Sequence, residues 1–130
     1  MYRGISGFSS MATRPVLAEL SAQIRLDHGI AVRFESAGGV EIARRVREGA
    51  GADLLVLADG ALAELADQGH LRGGTVRPLW VSQVVAAVPA GTPVPAFDEV
   101  RDLRAALLAA ERVAYSTGPS GTALLDLIAI

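Results

Sequence analysis

The 130-residue sequence contains no cysteine. That excludes a thiol nucleophile, an iron–sulfur cluster and any zinc site built on thiolates, and it leaves the redox compartment unmarked. Lysine is absent as well, since all 12 basic residues are arginine, so Schiff-base chemistry, a pyridoxal phosphate linkage and a Walker lysine are excluded. Two isolated histidines, His28 and His70, offer neither a zinc triad nor the His-Glu-x-x-His spacing, and no metal or other cofactor is expected. Trp80 and Phe97, among few aromatics, read as core anchors rather than stacking platforms. With 12 arginines scattered among 14 acids, for a net charge of −2, there is no basic face and no nucleic-acid partner is expected. No apolar run approaches the ~20 residues of a membrane-spanning helix. The opening Met1-Tyr2-Arg3-Gly4-Ile5-Ser6 lacks a signal-peptide pattern, which leaves two alternatives: a cytosolic protein, or a periplasmic one whose leader has been removed.

What is present is one domain's worth of chain, 51 % hydrophobic, long enough to bury a core without staples. Apolar spacing switches repeatedly between a period of two and one of 3.6. A short extended segment at Arg3–Ser6 leads to Ser9-Ser10, then a helix with Pro15 in its first turn and Val16, Leu17, Leu20 and Ile24 on one face, ending at Gly29. Ile30–Phe34 reads as a strand. Ser36-Ala37-Gly38-Gly39 then opens a helix that buries Val40, Ala43 and Val46, turns Arg44, Arg45 and Arg47 to water, and ends at Gly49. The apolar run Leu54–Leu57 predicts a strand covered on both faces. Asp59-Gly60 begins a third helix, with Leu62, Leu65 and Ala66 inward and Gly69 at its end.

Repeated strand–loop–helix units predict a doubly wound parallel α/β sheet with right-handed crossovers. The rhythm then changes: Thr75–Pro89 reads as one long extended stretch or two strands, Gly91–Pro95 as a connector, and Asp98 as the cap of a helix carrying Val100, Leu103 and Leu107. A strand at Val113–Ser116 and a last helix from Thr122 to Ile130 complete the reading. The apolar face of that helix (Leu124, Leu125, Leu127, Ile128) needs a covering, so a second α/β lobe cut short, and dimerisation through it, are expected.

Hydroxyls and glycines concentrate in the loops Ser9-Ser10, Ser36–Gly39 and Ser116–Thr122. In a parallel sheet these loops share the carboxyl edge, where helix N-termini offer free N–H groups to an anion. Each serine taken singly is explained as an N-cap; together they point to a ligand cleft. Neither loop glycine pattern is a nucleotide fingerprint. Arg14, in a first helical turn, faces either solvent or an anion, and Glu35 and Asp59 lie where a base would need a raised pKa, Asp59 reading first as a helix cap.

The ordered set Ser9-Ser10-Met11-Ala12, Ser36-Ala37-Gly38-Gly39-Val40 with Ile42-Ala43-Arg44, Ala52-Asp53-Leu54-Leu55-Val56-Leu57-Ala58-Asp59, and Tyr115–Thr122 resembles the molybdate-binding-protein-like branch of type II periplasmic solute-binding proteins. The resemblance implies two α/β lobes closing over a small anion, with lobe one at 1–78, a crossing segment at 79–95 and the start of lobe two at 96–130. It implies ligand contacts from Ser10, Gly38, Gly39, Ser116, Thr117, Ser120 and Gly121, to which the loop reading adds Ser9, Ser36 and Arg14 as candidates, and an ABC permease as partner. The branch also includes an aconitate isomerase, which implies a rival reading: an allylic proton shift in a tricarboxylate, with Glu35 or Asp59 as base and Arg14 on a carboxylate.

Overall fold

In the computed structural model, which describes residues 4–129, β1 (Ile5–Ser10) runs parallel to β2 (Val32–Ala37) on one side and to β3 (Leu54–Val56) on the other. Strand order is β2-β1-β3. With right-handed crossovers, that order puts α1 (Arg14–His28) on one face of the sheet and α2 (Gly39–Arg47) and α3 (Asp59–Asp67) on the other. The protein is therefore an α/β fold, doubly wound as the alternating periods predict. The chain divides into two compact units, one up to Leu79 and one from Trp80 on.

Several boundaries move relative to the sequence reading. The first strand extends to Ser10 instead of stopping at Ser6, and Arg3 lies outside the described residues. As the central strand, β1 finds ladder partners on both sides, so Ser9 and Ser10 stay in the sheet opposite Ser36 and Ala37 despite their loop-like side chains. β2 begins and ends later than Ile30–Phe34, because its register against β1 sets Val32 beside Ile5 and Ala37 beside Ser10. The third strand is a short edge, not a strand covered on both faces, and Leu54 is 46 % exposed. A clasp fixes its start: the N–H and Oγ of Ser6 both donate to Oδ2 of Asp53 at 2.9 Å, and the Asp53 N–H returns to the Ser6 carbonyl at 2.9 Å.

The core lies between the sheet and α2 and α3, where Phe8 meets Ile42, Ala43, Val46 and Leu65. Val40 was expected inside but is 65 % exposed, whereas Ile42 is fully buried. Two residues of helix turn the chain by about 200°, so the two cannot share a face, and Ala43 and Val46 side with Ile42. Leu17 anchors α1, while Val16 and Leu20 on the expected face remain exposed. Gly29 ends that helix at φ 67°, its N–H bonded to the Arg25 carbonyl at 3.0 Å, in the left-handed conformation that glycine adopts without cost.

The second unit holds α4 (Val100–Ala109) and α5 (Pro119–Ile128). Neither the 75–89 stretch nor 113–116 forms a strand. Among the described residues they pair with no strand, and a lone extended run gains nothing from its propensity; Val81 is 92 % exposed. The cap of α4 is Glu99 rather than Asp98, in a reciprocal box with Asp102 whose Oδ2 accepts the Glu99 N–H at 3.0 Å. The last helix starts at Pro119, three residues ahead of the expected Thr122, because proline is at ease in a first turn.

Gly7 is buried mid-strand, and a Cβ there would lie 2.3 Å from Cε1 and 2.5 Å from Cδ1 of Phe34, the residue beside it in register. The Phe34 ring occupies the space a side chain would need. Gly7→Ala is expected to destabilise the first unit by about 1–3 kcal/mol, the usual cost of overpacking. A urea midpoint equal to that of the native chain would show that the ring moves aside freely.

Candidate functional site

Because β1 and β2 run parallel, their carboxyl ends and the helices that follow begin at one edge of the sheet. Ser9 is fully buried there, and its Oγ lies 2.8 Å from that of Ser36, its register partner. Two hydroxyls carry two protons and this bond uses one of them. Ser10 follows at the strand end, half-buried, with its Oγ 3.5 Å from Oγ1 of Thr13. The Thr13 hydroxyl donates to the Ser10 carbonyl at 3.0 Å, within the 3-10 turn Met11–Thr13 that leads into α1. Sequence reasoning passed over Thr13, although a hydroxyl three residues after Ser10 is the spacing that brings two side chains together in such a turn.

The N-cap explanation of these serines does not hold. Neither the 3-10 turn, α1 nor α2 has a side-chain cap; Ser36 spends its hydroxyl on Ser9, and the residue at the α2 cap position is Gly38. The first N–H groups of α2 thus have no side-chain acceptor and stand at the positive end of the helix dipole. The space in front of the Gly38 Cα is open, and the nearest atom to a Cβ placed on Gly39 is the Ser10 Cβ at 4.0 Å. Ser9, Ser10, Ser36, Gly38 and Gly39 are therefore neighbours at one sheet edge, with Ser10 beside Gly39. Arg14 is the exposed first residue of α1, and no described acid pairs with it.

The two candidate bases behave otherwise. Glu35 is clamped by Arg45, whose Nη1 and Nη2 donate to its two carboxylate oxygens at 2.7 and 3.3 Å. The hydrogen bond first, and then the guanidinium charge, hold the Glu35 carboxyl below its ordinary 4.5, opposite to the shift a general base requires. Arg45 does not face water as its neighbours in sequence suggested. Its side chain is 27 % exposed, with the guanidinium carbon 4.7 Å from the centre of the Phe8 ring. Arg44 and Arg47 do lie at the surface, paired with Glu41 and Glu48, and with Glu64, respectively. Asp59 is the first residue of α3 rather than its cap, and its Oδ1 accepts the Gly60 N–H at 2.8 Å.

In the second unit, Ser116 and Ser120 join through their hydroxyls at 2.6 Å beside the start of α5, while Thr117 is exposed. Gly121 is required here by close approach: a Cβ on it would lie 1.6 Å from the Ser116 carbonyl oxygen. Among the described residues no group of three or more histidines and acids gathers as a metal site, and no helix is long and apolar enough to cross a membrane.

Glu35 is expected to titrate below 4.5, with Arg45→Met returning it towards that value in a carboxyl-carbon NMR titration. Since folding lowers this pKa, the stabilisation from the pair is complete above the ordinary value and fades as pH falls through the lowered one. Gly121→Ala should open the turn onto α5. The amides of Gly121 and Thr122, now bonded to the Gly118 carbonyl at 3.0 and 3.1 Å, would then exchange with deuterium faster by a factor of about 10 or more, equivalent to at least about 1.4 kcal/mol of local stability.

The sequence model of one family, described as bacterial extracellular solute-binding protein, matches residues 5–129. No curated protein and no solved structure matches the chain. The matched span takes in the parallel sheet, the uncapped helix starts and all the hydroxyl-bearing segments described above, and on that match the chain belongs to the bacterial extracellular solute-binding proteins.

Proposed function

We propose that the chain binds a small anion, a molybdate-like oxyanion or a carboxylate, as the solute-binding component of an ABC importer. The observation that carries this reading is the start of α2, which has no side-chain cap and where no atom lies near the position a Cβ on Gly38 would take, next to the Ser10 hydroxyl. Backbone N–H groups left without acceptors, with serine hydroxyls next to them, suit an anion that brings its own acceptor oxygens. The contacts proposed in the first unit are Ser9, Ser10, Ser36, Gly38 and Gly39, with Arg14 reaching a carboxylate where the ligand has one. Ser116, Thr117, Ser120 and Gly121 are proposed as the contribution of the second unit. An ABC permease is the proposed partner, and the periplasm the proposed place of work. The isomerase reading gains no support from Glu35, which Arg45 holds in the ionised, hydrogen-bonded state.

Titration calorimetry of the chain with molybdate, sulfate and trans-aconitate tests the proposal. Binding of at least one of them is expected, and Ser10→Ala should weaken it by about 1–3 kcal/mol, the penalty for leaving a polar partner unmet. No heat from any of the three at millimolar concentration would overturn the receptor reading. Conversion of trans-aconitate, followed by proton NMR in heavy water, would replace it with the enzymatic one.

A further inference from the structure

We infer that Arg45 is a positioning residue for anion binding: it clamps and neutralises Glu35 near the N-terminus of α2, so that this carboxylate does not oppose an anion arriving there. The inference rests on the receptor reading above. Glu35 immediately precedes Ser36 in β2, and Gly38 lies three residues further on. Even a fully extended chain puts the Glu35 Cα no more than about 11 Å from that of Gly38, which is about one Debye length at 0.1 M salt. An unpaired carboxylate at that distance would oppose the positive end of the α2 dipole and repel any arriving anion.

Two features separate this pair from an ordinary surface ion pair. Arg45 is the most buried partner of any ion pair among the described residues, held in place by the Phe8 ring, so its fork is presented to Glu35 with little freedom left to lose. The second acid near the same helix start is treated the same way. Glu41, in the first turn of α2, is bound by Arg44, whose Nε and Nη2 lie 3.0 and 2.8 Å from its two oxygens. Both carboxylates flanking the helix start are thus held by arginines from further along α2. Strand alternation puts Glu35 on the sheet face of Phe8, opposite Ser36 and Ser9, and Arg45 holds its carboxylate on that face.

Calorimetry with sulfate, molybdate and trans-aconitate on four variants tests the inference. Arg45→Met keeps an apolar stem over Phe8 but frees Glu35, and the best-bound anion should lose about three- to tenfold in affinity, as expected for like charges at this distance in a partly aqueous setting. Arg45→Lys restores a positive charge without the planar fork and should stay within about twofold of the native chain. Glu35→Gln alone should bind at least as tightly as native. The double variant Glu35→Gln/Arg45→Met should return to within about twofold, because the charge that Arg45 neutralised is gone. Native affinity in Arg45→Met, or a double variant as weak as Arg45→Met, would overturn the inference while leaving the receptor reading intact. A lysine variant as weak as the methionine one would also overturn it, since charge would not be what matters. Failure of the native chain to bind any of the three anions removes the receptor reading, and this inference with it.

Discussion

The parallel register of β1 against β2 is the constraint on which the first unit depends. Pairing Phe8 with Glu35 and Ser9 with Ser36 sends Phe8 into the α2 face and the two serines to the other. A slip of one residue would turn every β1 side chain over. Phe8 would leave Ile42 and Leu65, the serine hydroxyls would part, and Gly7 would no longer lie beneath the Phe34 ring. Core, hydroxyl pair and glycine contact thus select the same register independently, and that agreement is how a sheet of few strands becomes specific.

The first unit was largely legible in the sequence because its signals are local. Gly29, Gly49 and Gly69 all stop their helices with positive φ, and the switching apolar period announces strand, helix and strand in the right order. Harder to read was anything set by a neighbour distant in sequence. Ser9 looks like a loop serine until β2 and β3 are beside it, and Arg45 looks like one of three solvated arginines until Phe8 is beneath it. The 75–89 stretch shows the opposite failure. Valines at 81, 84, 85 and 88 have strand propensity, but a strand is a relation between two segments and the described chain supplies no second one.

The candidate site was legible in its residue types more than in their roles. The serines and glycines at the ends of β1 and β2 lie at the carboxyl edge as expected, whereas the Ser116–Thr122 loop follows no strand, and the reasoning that makes a serine an N-cap is statistical and was overruled here by hydroxyl–hydroxyl bonding. Ser9 with Ser36, and Ser116 with Ser120, each pair side chain to side chain instead of capping a helix. Glu35 shows how one contact can reverse a role. A carboxylate at a strand end is an acceptable base on paper, and a bidentate arginine removes it from that list.

The uncapped start of α2 sets folding and recognition against each other. An aspartate or serine in place of Gly38 would satisfy an end N–H and stabilise the helix by about a few tenths of a kcal/mol. The same oxygen would stand in the space that is now open in front of Gly38. On the proposed reading an anion filling that space acts as the missing cap, so its occupancy and the melting temperature of the first unit become one linked quantity. Screens that select variants of this chain for thermal stability alone would drift towards acidic or hydroxyl residues at position 38, and would select a better-folded protein whose own side chain fills the place proposed above for an anion.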